Sequence, residues 1–164
     1  MFTHFKNCDE IWHGGDFGTI AIARNIIEGF GMLEHDQKLE SPDSPPAGKI
    51  LRGVYGNIDG PDVRSVYPEQ SVFMCEEVKV MMRHIGGYPP RYNPETKKQI
   101  AIHRPGLFIS GHSHILKIMY DQQSGLLHMN PGAAGRQGWH KVRTLIRFCI
   151  HEKEIKNCEV IELG

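Results

Sequence analysis

Apolar and polar positions along this chain change rhythm every ten to fifteen residues, and each change marks an element. EIWHGG reads as a strand that stops at two glycines, with Asp16 directly after it. In FGTIAIARNIIEGF, Ile20, Ala23, Ile26 and Ile27 recur at helical spacing, and Gly29 and Gly31 end the run. The polar stretch EHDQKLESPDSPPAGK carries three prolines and reads as an exposed loop, not a domain boundary. KILRGVYGN returns to a strand that closes in a glycine-led turn.

QSVFMCEEVKVMMRH divides into two strands hinged at Glu76 and Glu77, the second ending in His84 ahead of Gly86 and Gly87. Asn93 caps a helix whose first residue is Pro94 and which runs through ETKKQIAIHR until Pro105 stops it. LFIS is a compact buried strand, and GHSH comes straight after it. KIMYDQQSGLLHMN forms a hairpin about Gln123, Ser124 and Gly125, NPGAAGRQG a glycine-rich loop, and VRTLIRFCIHEKEIKNCEVIEL a closing hairpin that turns at residues 151–153. Strand and helix alternate in the first half and hairpins fill the last third, which predicts a mixed sheet or a two-sheet sandwich flanked by helices. At 164 residues, without internal repeats, residues 1–164 read as one domain.

Charge narrows the partners. Lys+Arg and Asp+Glu both number 19 and no long basic run occurs, so a nucleic-acid surface is not expected. No apolar stretch approaches the roughly 18 residues of a membrane span. The four cysteines, Cys8, Cys75, Cys149 and Cys158, form no CxxC pair, and the start of the chain lacks a secretory pattern, which together predict reduced thiols in the cytoplasm. Ten histidines are the compositional oddity, yet His4, His35, His103, His140 and His151 stand among polar or loop residues and read as solvated.

Four strand ends each deliver a potential ligand: Asp16 from HGGD, Asn57 from YGN, His84 from MRH, and His112 with His114 from GHSH. Ligands in α/β proteins gather at the carboxyl ends of strands, and a neighbouring glycine lets the backbone turn sharply there. His112 and His114, two apart in an extended segment, are expected to point to the same side. Imidazole, carboxylate and amide oxygen without thiolate suit borderline or harder ions such as Mn, Fe and Zn. GD and GN are ordinary turn dipeptides taken singly, and GHSH alone is weak; order and placement carry the signal.

In that order, GD, GN, a strand-final histidine, GHSH and NPG resemble the calcineurin-like metallophosphoesterase superfamily. RGVYGNID, RHIGGYP and NPGAAG are similar to the small bacterial phosphodiesterases of the YfcE type. The resemblance covers the chain from about Cys8 onward. It implies an α/β (α+β) fold, a two-sheet metallophosphoesterase sandwich flanked by helices. It also implies a cytoplasmic hydrolase that opens a small phosphodiester with a metal-activated hydroxide and without a covalent enzyme intermediate. Asp16 matches the family's bridging aspartate. Asn57, His84 and His112 match ligands of the second metal, and His114 matches a ligand of the first. Asn57 would also orient the phosphate, as the one catalytic group besides the ions. The ions implied are divalent transition metals, Mn before Fe, Zn or Ni. Arg136, beyond NPG, would contact phosphate or brace the loop.

Three departures qualify this. Family members begin with a strand ending D-x-H, which completes the first metal site, and here FTHFKN stands where the last turn of the following helix would be. The resemblance therefore implies a first strand missing from this sequence. It further implies about one tightly held ion instead of two, impaired hydrolysis, and an unpaired sheet edge that a homo-oligomer could cover. HGGD replaces the usual HAGD, a change of one methyl. Ile58 occupies the position where related phosphatases carry an acidic histidine, which favours good leaving groups or another acid such as Asp59. The alternative on the same fold is a non-catalytic binding or scaffold protein.

Overall fold

A computed structural model describes residues 2–30, 32–34, 49–138 and 140–164. The predicted proline-rich loop falls almost wholly on residues 35–48 and lies outside the described residues. In chain order a 3-10 turn, Phe2–Phe5, leads to strand β1 (Glu10–His13), helix α1 (Ile20–Phe30), and strands β2 (Met32–Glu34) and β3 (Lys49–Gly53). Next come the one-turn helix α2 (Pro61–Arg64), strands β4 (Gln70–Cys75) and β5 (Val78–Arg83), and a small hairpin of β6 (Gly87–Tyr88) and β7 (Arg91–Tyr92). Helix α3 (Pro94–His103) and strands β8 (Leu107–Ile109), β9 (Lys117–Asp121), β10 (Leu126–Asn130), β11 (Arg143–His151) and β12 (Glu154–Leu163) complete the chain.

Most of these elements lie where the apolar rhythm predicts. Asn93 accepts a hydrogen bond from the Thr96 amide at 2.7 Å and Arg104 closes α3 in a left-handed conformation, so the capped start and abrupt stop are both realised. Glu76, with φ near 50°, is the hinge between β4 and β5. Three features escaped the pattern: β2, α2 and the β6–β7 hairpin. No helix or strand among them exceeds four residues, too short to display a period.

The mixed five-stranded sheet has the order β4-β5-β8-β10-β9. β5, β8 and β10 run parallel at its centre and antiparallel strands close both edges. Successive side chains of a strand face opposite ways, so Val80, Met82, Leu107 and Ile109 line one face while Met81 and Phe108 line the other. The first face packs on Trp12, Ile146, Phe148 and Ile150; the second on Ile100 of α3 and on Tyr92. Burial on both faces is why Val80–Met82 and LFI are unbroken apolar runs instead of alternating ones, Lys79 alone standing exposed before the first.

The second layer holds the parallel sheet β1-β3-β2 and the antiparallel pair β11–β12. Ala23 and Ile26 of α1 and Val63 of α2 pack on its outer face against Ile11 and Leu51. This is the mixed α/β arrangement that the sequence predicts, with few helices.

Among the described residues no strand pairing joins its two parts. β1 pairs with β3 and β11 with β12, and a cavity of about 1200 Å³ lies between Ile11 and Trp12 on one side and Ile146, Phe148 and Ile150 on the other. The carbonyls of Asp9 and His13 accept from β3 or just beyond it, at 3.1 and 3.2 Å. Strand alternation then turns the backbone groups of Glu10 and Trp12 toward the cavity.

Candidate metal centre

The loops after β1, β3, β5 and β8 meet at one end of the two layers. Asp16 adopts φ near 61°, which turns its carboxylate out of the β1 line and into the loop after β3. Gly56 lies so close that a methyl on it would stand 1.9 Å from Asp16 Oδ1, so YGN needs its glycine for contact with the carboxylate. The Ile58 amide also donates to Asp16 Oδ1, at 3.3 Å.

His84 is the centre of the group and is 3% exposed. Its Nδ1 lies 2.7 Å from the Gly14 carbonyl, and its Nε2 lies 3.1 Å from Asn57 Oδ1 and 3.2 Å from Asp16 Oδ2. Burial lowers its pKa, as does His112 to a smaller degree, against opposing pulls from the Gly14 carbonyl and the Asp16 carboxylate. A neutral imidazole has one N–H. If Nδ1 donates to Gly14, Nε2 turns a lone pair toward two oxygens; if Nε2 carries the proton, Nδ1 faces the carbonyl without one. Turning the Asn57 amide relieves its own contact but not that with the carboxylate.

A cation beside Nε2 removes this conflict. It converts three converging lone pairs into ligands, and the Gly14 carbonyl becomes the outer partner that commonly orients a metal-binding histidine. The residues present therefore fit a divalent transition ion at Asp16, Asn57 and His84. His112 adjoins them, its ring centroid 5.2 Å from that of His84 and its amide donating to the His84 carbonyl at 3.1 Å.

His114 does not follow the expectation of a shared side with His112. The segment is a turn instead of a strand: the His114 amide donates to the Gly111 carbonyl at 3.0 Å and its φ is near 54°. Its ring meets His140 edge-on, with centroids 5.5 Å apart. Among the described residues no three His, Cys, Asp or Glu side chains stand close enough together to enclose an ion, and the Asp16 group depends on the Asn57 amide.

Asp59, raised as a replacement acid, has another task. One oxygen accepts from the Gly18 amide and the other from the Gly56 amide, both at 2.7 Å, and the side chain is buried. It ties the loop after β1 to the loop after β3. Asn130 of NPG donates to Ser113 Oγ at 3.1 Å and accepts from the Gly132 amide at 3.0 Å, which braces the GHSH turn. Arg136 is exposed on the same loop.

Two histidines near the site were not singled out by sequence. His13 stacks on Phe17 with centroids 3.7 Å apart, accepts from the Gly15 amide at 3.3 Å, and has its pKa lowered to about 4 by burial. Its place at the end of EIWH, one residue before the glycines, was the available signal. His140 had none, because its neighbour His114 is distant in the chain.

The calcineurin-like phosphoesterase superfamily domain matches residues 1–153, and the chain belongs to that superfamily. No curated protein matches it. Among solved structures it is similar to an archaeal phosphodiesterase, at 17% identity and a TM-score of 0.62, over 99% of this chain and 88% of the other. It is also similar to Vps29 of Entamoeba histolytica complexed with zinc, at 17% identity and a TM-score of 0.57, over 98% and 87%. A third is Vps29 of Chaetomium thermophilum, at 12% identity and 0.64, over 96% and 82%. At these identities the likenesses establish the fold.

Proposed function

We propose that the chain is a metal-dependent phosphodiesterase acting on a small phosphodiester, with Asp16, Asn57 and His84 as ligands of one divalent transition ion, manganese first, and with the adjoining His112 turning in to complete the set when the ion binds. The observation that carries this is the lone-pair conflict at His84 Nε2, which a cation relieves. Such an ion supplies Lewis acidity, lowering the pKa of a water and polarising a phosphoryl oxygen. The residues do the rest. Gly14 and Gly56 hold His84 and Asp16 in place, and the Asn57 side chain, exposed at the rim, orients the phosphate. Ile58, 58% exposed, offers no proton to a leaving group, which favours aryl esters with stable anions.

Hydrolysis of bis(p-nitrophenyl) phosphate with manganese is the test. Asp16→Ala should lower the rate on the order of 100-fold or more and release the ion, because it removes a direct ligand. Full activity in that variant would disprove the assignment.

One observation favours the non-catalytic alternative. Edge strand β9 and the residues before it expose Ile115, Leu116, Ile118, Met119 and Tyr120, with Ile118 and Tyr120 on one face of the strand, and such apolar exposure at an edge suits a protein partner. No turnover with manganese in the parent protein, together with unimpaired metal binding, would decide for that reading.

A further inference from the structure

The loop after β10 brings His140 beside His114. A methyl built on Gly138 would lie 2.6 Å from His114 Nδ1 and 2.9 Å from His140 Nδ1, so both nitrogens press against the same side of that glycine and lie close to each other. The Nε2 of His140 lies 2.9 Å from the Gly135 carbonyl. A carbonyl can only accept, which places the N–H on Nε2 and leaves a lone pair on Nδ1 in the neutral ring. That Nδ1 is buried and has no hydrogen-bond partner among the described residues. Buried imidazole nitrogens seldom stay unpaired, since an unmet acceptor costs about 1 to 3 kcal/mol.

His84 has the same construction: one ring nitrogen toward a backbone carbonyl, the other toward ligand atoms. We propose that His114 and His140 hold a second divalent transition ion between their Nδ1 atoms, with water or a substrate oxygen completing its shell. This rests on the reading of His114 as a metal ligand. It adds His140, which neither the motif order nor the family match assigns. Two imidazoles suit zinc, copper or nickel better than manganese. Such a two-nitrogen site binds less tightly than the Asp16 group, because fewer protein ligands reach the ion and no carboxylate among them neutralises its charge. Both sites share the GHSH turn, so the second ion stands on the same rim as the first.

Zinc titration of the chelated full chain tests this, followed by calorimetry and by the imidazole nitrogen signals in long-range proton–nitrogen spectra. Two binding steps are expected, the weaker one shifting Nδ1 of both His114 and His140. His140→Gln, which can still donate to the Gly135 carbonyl, should weaken that step about 10- to 100-fold and leave the stronger one unchanged. His84→Ala should do the reverse. A His140 Nδ1 signal unmoved at saturating zinc, or His140→Gln titrating like the parent, overturns the proposal. If His84→Ala alters neither step while His140→Gln removes the weaker one, the Asp16 assignment fails and the His114–His140 site stands.

Discussion

Val80, Met81, Met82, Leu107 and Phe108 of the five-stranded sheet are wholly buried, whereas Trp12, Ile146, Phe148 and Ile150 of the neighbouring layer are only partly so. Both layers come from strands of similar composition. What separates them is pairing: among the described residues every central strand of the first has two neighbours, and in the second β1 and β11 each have one. Apolar side chains alone do not seal a core. A strand edge left open admits solvent to the side chains beside it, and its backbone groups must find partners elsewhere.

The largest expected effect compares one substitution at two places. Phe108→Ala, in the sealed sheet against Tyr92 and His128, should cost about 3 to 5 kcal/mol in urea unfolding. Phe148→Ala, edge-on to Trp12 beside the cavity, should cost less than half as much, because its ring is already part-solvated. Equal losses would break the comparison.

Next in size is the response to acid. His128, 1% exposed in β10, has its pKa lowered to about 4, chiefly by burial and to a lesser degree by Lys117. The unfolded chain takes up this proton near pH 6.5 and the folded chain only near 4, so the contribution of His128 is complete above 6.5 and is lost as pH falls through that window. The loss by pH 4 is on the order of 3 kcal/mol. His128→Leu should flatten the stability profile between those values. An unchanged slope would show that the sealed sheet does not exclude this proton.

The smallest effect is local. Amide exchange at Trp12, facing the cavity, should approach that of loop residues, while Val80 and Leu107 exchange only with global unfolding. Strong protection at Trp12 would mean that the β1 edge is covered in solution.

Much of the fold was legible in the chain. The helix of α1 follows from the spacing of Ala23, Ile26 and Ile27, and α3 from the Asn93–Pro94 start, since both are local signals. Pairing was not legible, because β1 meets β3 across an intervening helix and a proline-rich segment. The site divides in the same way. Asp16, Asn57 and His84 could be named from glycine-marked strand ends, and they do meet. The geometry of His114 could not, since a turn that closes on Gly111 replaces the extended segment that GHSH suggests.

The sequence by itself determined where chain direction changes and which residues carry lone pairs, because helix caps, glycine turns and apolar periods act over a few residues. Only the tertiary structure decided which lone pairs face one another. Asp59 became a brace because amides from two loops reach it before solvent does. His140 came to lie beside His114 because the loop after β10 folds back over the GHSH turn, held there by Asn130 and Ser113. Contacts of that kind depend on the packing of whole layers, and no local pattern encodes them.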